Sequence, residues 1–139
     1  MIMDGNRRWA KERNLPTLEG HRAGAEKIHD LVTWAGSAGI EEVIVYAFST
    51  ENWNRSKEEV GYLMALAEHL FKKEVGRFIE AGVRLRFIGD LSLASEQIQK
   101  IISEAEEKTR GGTKGTLAFA FSYGGRPEIL AAVNRLLKE

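Results

Sequence analysis

The sequence predicts an α/β fold, a largely parallel sheet flanked by helices on both faces, and three observations carry that reading. Short apolar runs alternate four times with longer segments of helical period. The run Glu42 to Phe48 places Val43, Ile44, Val45 and Tyr46 in unbroken succession, which suits a strand covered on both faces. The unusual polar residues cluster directly after the predicted strands, and open parallel sheets bind ligands at the carboxyl ends of their strands. With 139 residues, 43% hydrophobic and 29% charged, the chain suffices for one domain with its own core, residues 1–139.

The elements follow in order. Ile2 and Met3 read as the end of a strand that turns at Asp4 into a helical segment, Asn6 to Arg13. Asn14 to His21 reads as a loop. Gly20 to Ala38 sets Ala25, Ile28, Leu31, Val32 and Ala35 on one helical face, and Gly39 ends it. After the Glu42 strand, Ser56 to Ala81 is the longest predicted helix. Ser56 and Glu59 form a capping-box pattern there, and the stripe runs through Val60, Leu63, Met64, Ala67, Leu70, Phe71, Val75, Phe78 and Ile79. Val83, Leu85 and Phe87 alternate with Arg84 and Arg86, as in a half-exposed strand near a sheet edge. Ser95 to Arg110 is a helix, and Gly111 to Gly115 a turn-rich loop. Thr116 to Ser122 is a strand, Tyr123 to Gly125 a loop, and Pro127 opens a last helix bearing Ile129, Leu130, Val133 and Leu136. The first strand has at most three residues, and the last helix reaches Glu139 in mid-pattern, so both ends read as cut from a larger domain.

Composition excludes several chemistries. Twenty basic and twenty acidic residues cancel, so nothing steers the whole chain toward nucleic acid, and anion affinity has to come from local clusters. Without cysteine there is no disulfide framework, thiolate metal site or thiol nucleophile. The cysteine-free composition is compatible with a reducing cytoplasm, the expected location, and no stretch is long and apolar enough for a membrane span.

Chemistry concentrates in Met3-Asp4-Gly5-Asn6-Arg7-Arg8-Trp9. A helix N-terminus and two guanidinium groups suit a diphosphate, and Gly5 lets the backbone approach it. A carboxylate beside a polyanion is repulsive unless a cation lies between, and Mg2+ takes carboxylate and phosphate oxygens together. The alternative is that Asp4 merely caps the helix. A second cluster, Phe48 to Arg55, sets hydroxyls, Glu51, two amides, Trp53 and Arg55 directly after a strand. Trp53 there either contacts a ligand or folds back over a core, with Glu51 pairing to Arg55 in the latter case. His21 either donates to a phosphate or is an ordinary capping or surface residue.

Taken together these motifs resemble the cis-prenyltransferases, also called isoprenyl transferases or undecaprenyl diphosphate synthases. The residues carrying the resemblance are Met3 to Ala10, Gly20-His21-Arg22-Ala23-Gly24, Tyr46 to Arg55, Val83 to Asp90 and Tyr123-Gly124-Gly125-Arg126, in family order. The resemblance implies a cytoplasmic homodimer that condenses isopentenyl diphosphate with an allylic prenyl diphosphate, using Mg2+, to give a cis-polyprenyl diphosphate. It also implies peripheral membrane contact for long products, and no nucleic acid. Asp4 is then the metal-placing and catalytic carboxylate, and Gly5, Asn6, Arg7, Arg8 and His21 hold the allylic diphosphate, with Trp9 beside them. Asn52 aligns with a residue that assists proton removal; a neutral amide is a poor base, so it reads as a positioner. Ser49, Thr50, Glu51, Trp53 and Arg55 align with the surrounding substrate-binding segment. An apolar tunnel is expected between the Ser56 helix and the strands, with space at Ala47, Ala118 and Ala120, and Leu117, Phe119 and Phe121 lining or closing it.

Thr17 stands where many members carry a diphosphate-binding arginine, and the family's C-terminal segment, which binds isopentenyl diphosphate, is absent. Two alternatives differ in class. A non-catalytic partner subunit commonly loses the Asp-Gly-Asn-Arg motif, which this chain keeps. An unrelated phosphate-binding α/β enzyme lacks support, because the sequence has no Walker loop.

Overall fold

The computed structural model describes residues 1–137. Three parallel strands, β1 (Glu42–Ser49), β2 (Val83–Ile88) and β3 (Gly115–Tyr123), form a sheet in the order β1-β3-β2. The helices are α1 (Asn6–Glu12), α2 (Thr17–Ser37), α3 (Lys57–Lys73), α4 (Val75–Glu80), α5 (Glu96–Thr109) and α6 (Gly125–Leu136). The parallel sheet flanked by helices is as the sequence predicts. The first strand is reduced to a single parallel bridge, Ile2 to Tyr46, with Met1 O accepting from Tyr46 N at 2.9 Å.

The core lies on one face of the sheet. Val45, Leu85, Leu117, Phe119 and Phe121 meet Ile28 of α2, Phe71 of α3, Phe78 of α4 and Ile98 and Ile102 of α5. Phe71 sits edge-on to Phe87, Phe119 and Phe121 with centroids 4.7–6.3 Å apart. The opposite face is bare where β1 crosses it: Ile44 is 48% exposed, which corrects the expectation of a strand covered on both faces. Helices also layer one face rather than both. Ile129, Leu130, Val133 and Leu136 of α6 are all exposed, because that helix stands away from the core and its apolar side meets no partner among the described residues. Its expected continuation to Glu139 lies outside the described residues.

Two helix boundaries also differ. The Asn14–His21 loop shrinks to Arg13–Pro16, since α2 begins at Thr17 after Pro16. The Ser56–Ala81 helix breaks at Glu74, whose carboxylate takes hydrogen bonds from His29 of α2 and, at 3.0 Å, from Arg77. The His29 ring stacks on Phe78 at 4.8 Å, so a contact from α2 fixes where α3 gives way to α4. Past the break Ile79 leaves the stripe and is 46% exposed. At its start, α3 is capped by Ser56 accepting from Glu59 N at 3.2 Å.

The outer edge of β2 is closed by side chains of α5. Thr109 Oγ1 accepts from Leu85 N at 3.0 Å and Glu106 Oε1 from Phe87 N at 2.9 Å.

Helix α1 lies on α2 at two glycines. A Cβ at Gly20 would stand 2.0 Å from Asn6 O, and one at Gly24 would stand 2.7 Å from Asn6 Oδ1. Gly20→Ala therefore opposes a gain of about 1 kcal/mol in helix propensity to a backbone collision. The collision is expected to win, with a net loss of about 1–3 kcal/mol in urea unfolding; an equally stable variant would show that the close approach is dispensable.

Candidate active site

All three strands end at the same side of the sheet, and a cavity of about 550 Å3 opens there. Its polar lining comes from Asp4 and α1 (Asn6, Arg7, Arg8) and from the segment that leaves β1 (Ser49, Asn52, Arg55), joined by His21 of α2; the segments that leave β2 and β3, Gly89-Asp90 and Gly124 to Arg126, do not line it. Its apolar lining comes from Ala25 and Ile28 of α2, Leu63, Leu66, Ala67, Leu70 and Phe71 of α3, and Phe119 and Phe121 of β3. The volume suits a small-molecule ligand. Ala47 lines it as expected, whereas Leu117, Ala118 and Ala120 do not; Ala118 and Ala120 belong to the opposite face of the sheet. The pairing of β1 with β3 is irregular around Ala47, and this brings Phe48 opposite Phe121 at the cavity wall.

Gly5 begins α1 with φ +88°, a left-handed conformation that favours glycine. Asp4 is thus not the helix cap. Its Oδ1 accepts from Gly5 N at 2.6 Å and its Oδ2 pairs with Arg8 Nη2 at 3.0 Å, both side chains about three-quarters exposed. Arg7 forms no ion pair among the described residues and lines the cavity. Because α1 has only seven residues its dipole is short, and the guanidinium groups are the stronger attraction for an anion.

His21 is neither cap nor surface residue. It is buried, and its Nε2 lies 3.1 Å from Glu59 Oε1. A carboxylate only accepts, so Nε2 carries the proton in that contact. The same oxygen accepts from Arg55 Nη1 at 2.9 Å. Burial pushes the Glu59 carboxyl upward, but the His21 hydrogen bond and the charges of Arg55, Arg7 and His21 together hold it below its ordinary value. Glu59 is the residue the sequence reading left out of the site. The capping-box spacing pointed only to a local role, and its carboxylate faces His21 and Arg55 instead. Trp53 folds back, but the Glu51–Arg55 pair that belonged to that alternative does not form; Glu51 is exposed beside Thr50 Oγ1 at 3.3 Å.

After β1 the chain makes a 3-10 turn, Thr50–Asn54, closed by reciprocal bonds between Ser49 and Asn52; Ser49 N donates to Asn52 Oδ1 at 3.1 Å. Ser49, Asn52 and Arg55 line the cavity, whereas Thr50, Glu51, Trp53 and Trp9 do not. Trp53 sits edge-on to Phe48 at 4.9 Å and donates to Ser122 Oγ at 3.0 Å, and Arg13 lies over the Trp9 ring at 4.4 Å.

The whole length from residue 2 to residue 139 matches the family model described as "Putative undecaprenyl diphosphate synthase". The chain belongs to the cis-prenyltransferase family. Curated cis-prenyltransferase relatives include isoprenyl transferases from Rickettsia bellii, 44% identical over 99% of this chain, and from Thermotoga maritima, 45% identical over all of it. The chain spans 61% and 60% of the lengths of these two relatives. Among solved structures, lavandulyl diphosphate synthase from Lavandula x intermedia, in complex with dimethylallyl diphosphate, superposes with TM-score 0.94 at 32% identity, over 99% of this chain and 59% of that one. A "probable undecaprenyl diphosphate synthase" from Campylobacter jejuni gives 0.76 at 33% identity, over 81% and 54%. No helix among the described residues is long and apolar enough to cross a membrane.

The Glu59 carboxyl, held below its ordinary 4.5, contributes stability above that pH and loses it as pH falls through the lowered value. Glu59→Gln is expected to cost about 1.5–3 kcal/mol at neutral pH, as for hydrogen bonds to a charged group. Urea unfolding from pH 7 to pH 3 checks this: the gap between wild type and variant narrows below pH 4.5. A gap unchanged across that range would mean that Glu59 is not held as its charged form.

Proposed function

We propose that this chain forms the allylic-diphosphate part of a cis-prenyltransferase site, in a protein that condenses isopentenyl diphosphate with an allylic prenyl diphosphate. The observation that carries the reading is one cavity whose rim holds Arg7, Arg8 and His21 and whose interior is lined by Leu63, Leu70, Phe71 and Phe121. Such a site takes an anionic head and a hydrocarbon tail together.

In the reaction the bond from the allylic carbon to diphosphate breaks, and the alkene of isopentenyl diphosphate supplies the electrons of the new carbon–carbon bond. A proton then leaves the resulting cation, taken up by the released diphosphate or by water. Arg7 and Arg8 stabilise the departing diphosphate; the His21 ring, whose Nε2–H is given to Glu59, adds a donor through Nδ1 only as the imidazolium, and the apolar wall excludes water from the electron-poor carbon. The amide oxygen of Asn52 is occupied by Ser49 N–H, so its NH2 group is the part left to meet substrate. An NH2 group donates and cannot take a proton, which makes Asn52 a positioner rather than a base.

The donor set bears on Mg2+. No group of three carboxylates or histidines that could hold a metal occurs among the described residues, and Asp4 offers one exposed carboxylate. That fits Mg2+ bound jointly with diphosphate oxygens and its own waters, not a metal held by protein alone. When bound, Mg2+ would supply added positive charge at the leaving diphosphate. Homodimer formation, cytoplasmic location and peripheral membrane contact belong to the same reading of the longer protein.

Two measurements test it. Tryptophan fluorescence titration of this chain is expected to show farnesyl diphosphate binding at least about tenfold tighter than inorganic diphosphate, with Mg2+ strengthening both; equal affinities would favour a generic phosphate site. In a protein of the relatives' full length, Asp4→Ala is expected to lower turnover at least about a hundredfold with folding intact. Near-normal turnover would remove Asp4 from the chemistry.

A further inference from the structure

We propose that Ser122 and Trp53 form a brace that holds the cavity-facing turn, residues 49–55, in place, so that both are positioning residues for the site. Ser122 is 1% exposed and has φ +50°, a left-handed conformation that a serine rarely adopts. Its hydroxyl accepts from Trp53 Nε1 at 3.0 Å, and its carbonyl accepts from Asp90 N at 3.1 Å. One residue at the end of β3 thereby ties the exit of β1 to the exit of β2.

The indole then works on the turn from behind. Trp53 packs on Phe48 at 4.9 Å, Phe48 stacks on Phe121 at 5.5 Å, and both phenylalanines line the cavity. Neither Trp53 nor Ser122 reaches the lining, while Ser49, Asn52 and Arg55 of the same segment do. A partly buried indole N–H needs an acceptor, and Ser122 is the one this fold supplies. The left-handed backbone of Ser122 serves both contacts at once, the hydroxyl meeting Trp53 and the carbonyl meeting Asp90. The inference takes its functional meaning from the prenyl diphosphate reading, but its mechanical part can be measured without it.

The experiment compares wild type with Trp53→Phe, Ser122→Ala and Ser122→Asn by hydrogen exchange of residues 49–55 and by calorimetric titration with farnesyl diphosphate. Trp53→Phe keeps an aromatic ring beside Phe48 but loses the N–H together with part of the indole's volume, so recovery in Ser122→Asn relative to Ser122→Ala is what separates the hydrogen bond from packing; Asn accepts a left-handed backbone and restores an acceptor. Trp53→Phe and Ser122→Ala are expected to speed exchange in the turn about three- to tenfold while amides 117–120 stay protected. Affinity falls by a similar factor, and Ser122→Asn recovers most of both. If Ser122→Ala does not fold, Trp53→Phe carries the same test with Ser122 untouched. Unchanged exchange in Trp53→Phe overturns the brace, and faster exchange with unchanged affinity overturns its positioning role. Should wild type itself fail to prefer farnesyl diphosphate over inorganic diphosphate, the proposed function falls, and exchange alone decides the brace.

Discussion

A carboxylate drawn partly out of water stays charged at least cost where donors and positive charge converge on it. Glu59 is such a carboxylate. Its Oε1 meets His21 from α2 and Arg55 from beyond the 3-10 turn, with Arg7 of α1 adding charge nearby. Glu59 stands in the first turn of α3, the helix that also presents Leu63, Leu66, Ala67 and Leu70 to the cavity. The polar rim and the apolar wall are therefore registered to each other through one oxygen atom. Movement of any of these elements would leave the half-buried carboxylate short of a donor or a positive charge.

The exposed groups obey a different economy. Asp4 and Arg8 pair in high dielectric, where such a contact is worth about 0–1 kcal/mol. Under the proposed function, a diphosphate would draw Arg8 away at little cost and leave Asp4 facing the same anion, the situation in which a divalent cation is favourable. Glu59 thus keeps its partners, whereas Asp4 and Arg8 can exchange theirs.

Much of this was legible in the residues. Alternation of strand and helix patterns located the sheet, and two of the segments expected at strand exits, Asp4 to Arg8 and Ser49 to Arg55, located the cavity, while Gly89-Asp90 and Ser122 to Arg126 lie outside its lining. What could not be read depends on contacts distant in sequence. Nothing in the apolar spacing from Val60 to Phe78 marks the break at Glu74, which is set by His29, 45 residues earlier. Glu59 was read by its local cap pattern although its partner His21 lies 38 residues away. The stripe Ile129, Leu130, Val133 and Leu136 showed that α6 has an apolar side, but a period says nothing of what lies opposite. Trp53 carried a true ambiguity between ligand and core, and only the position of Ser122 places its indole.

The hydroxyl of Thr109 and the carboxylate of Glu106 occupy the outward amides of β2, so that border of the sheet offers no consecutive donors to an incoming chain. An unsatisfied border of that kind is where unrelated polypeptides add on and where fibrillar stacking begins. Helix α5 therefore protects the protein's colloidal solubility as well as contributing Ile98 and Ile102 to its core, and a change at Thr109 would register as clumping in concentrated solution before it registered in ligand binding.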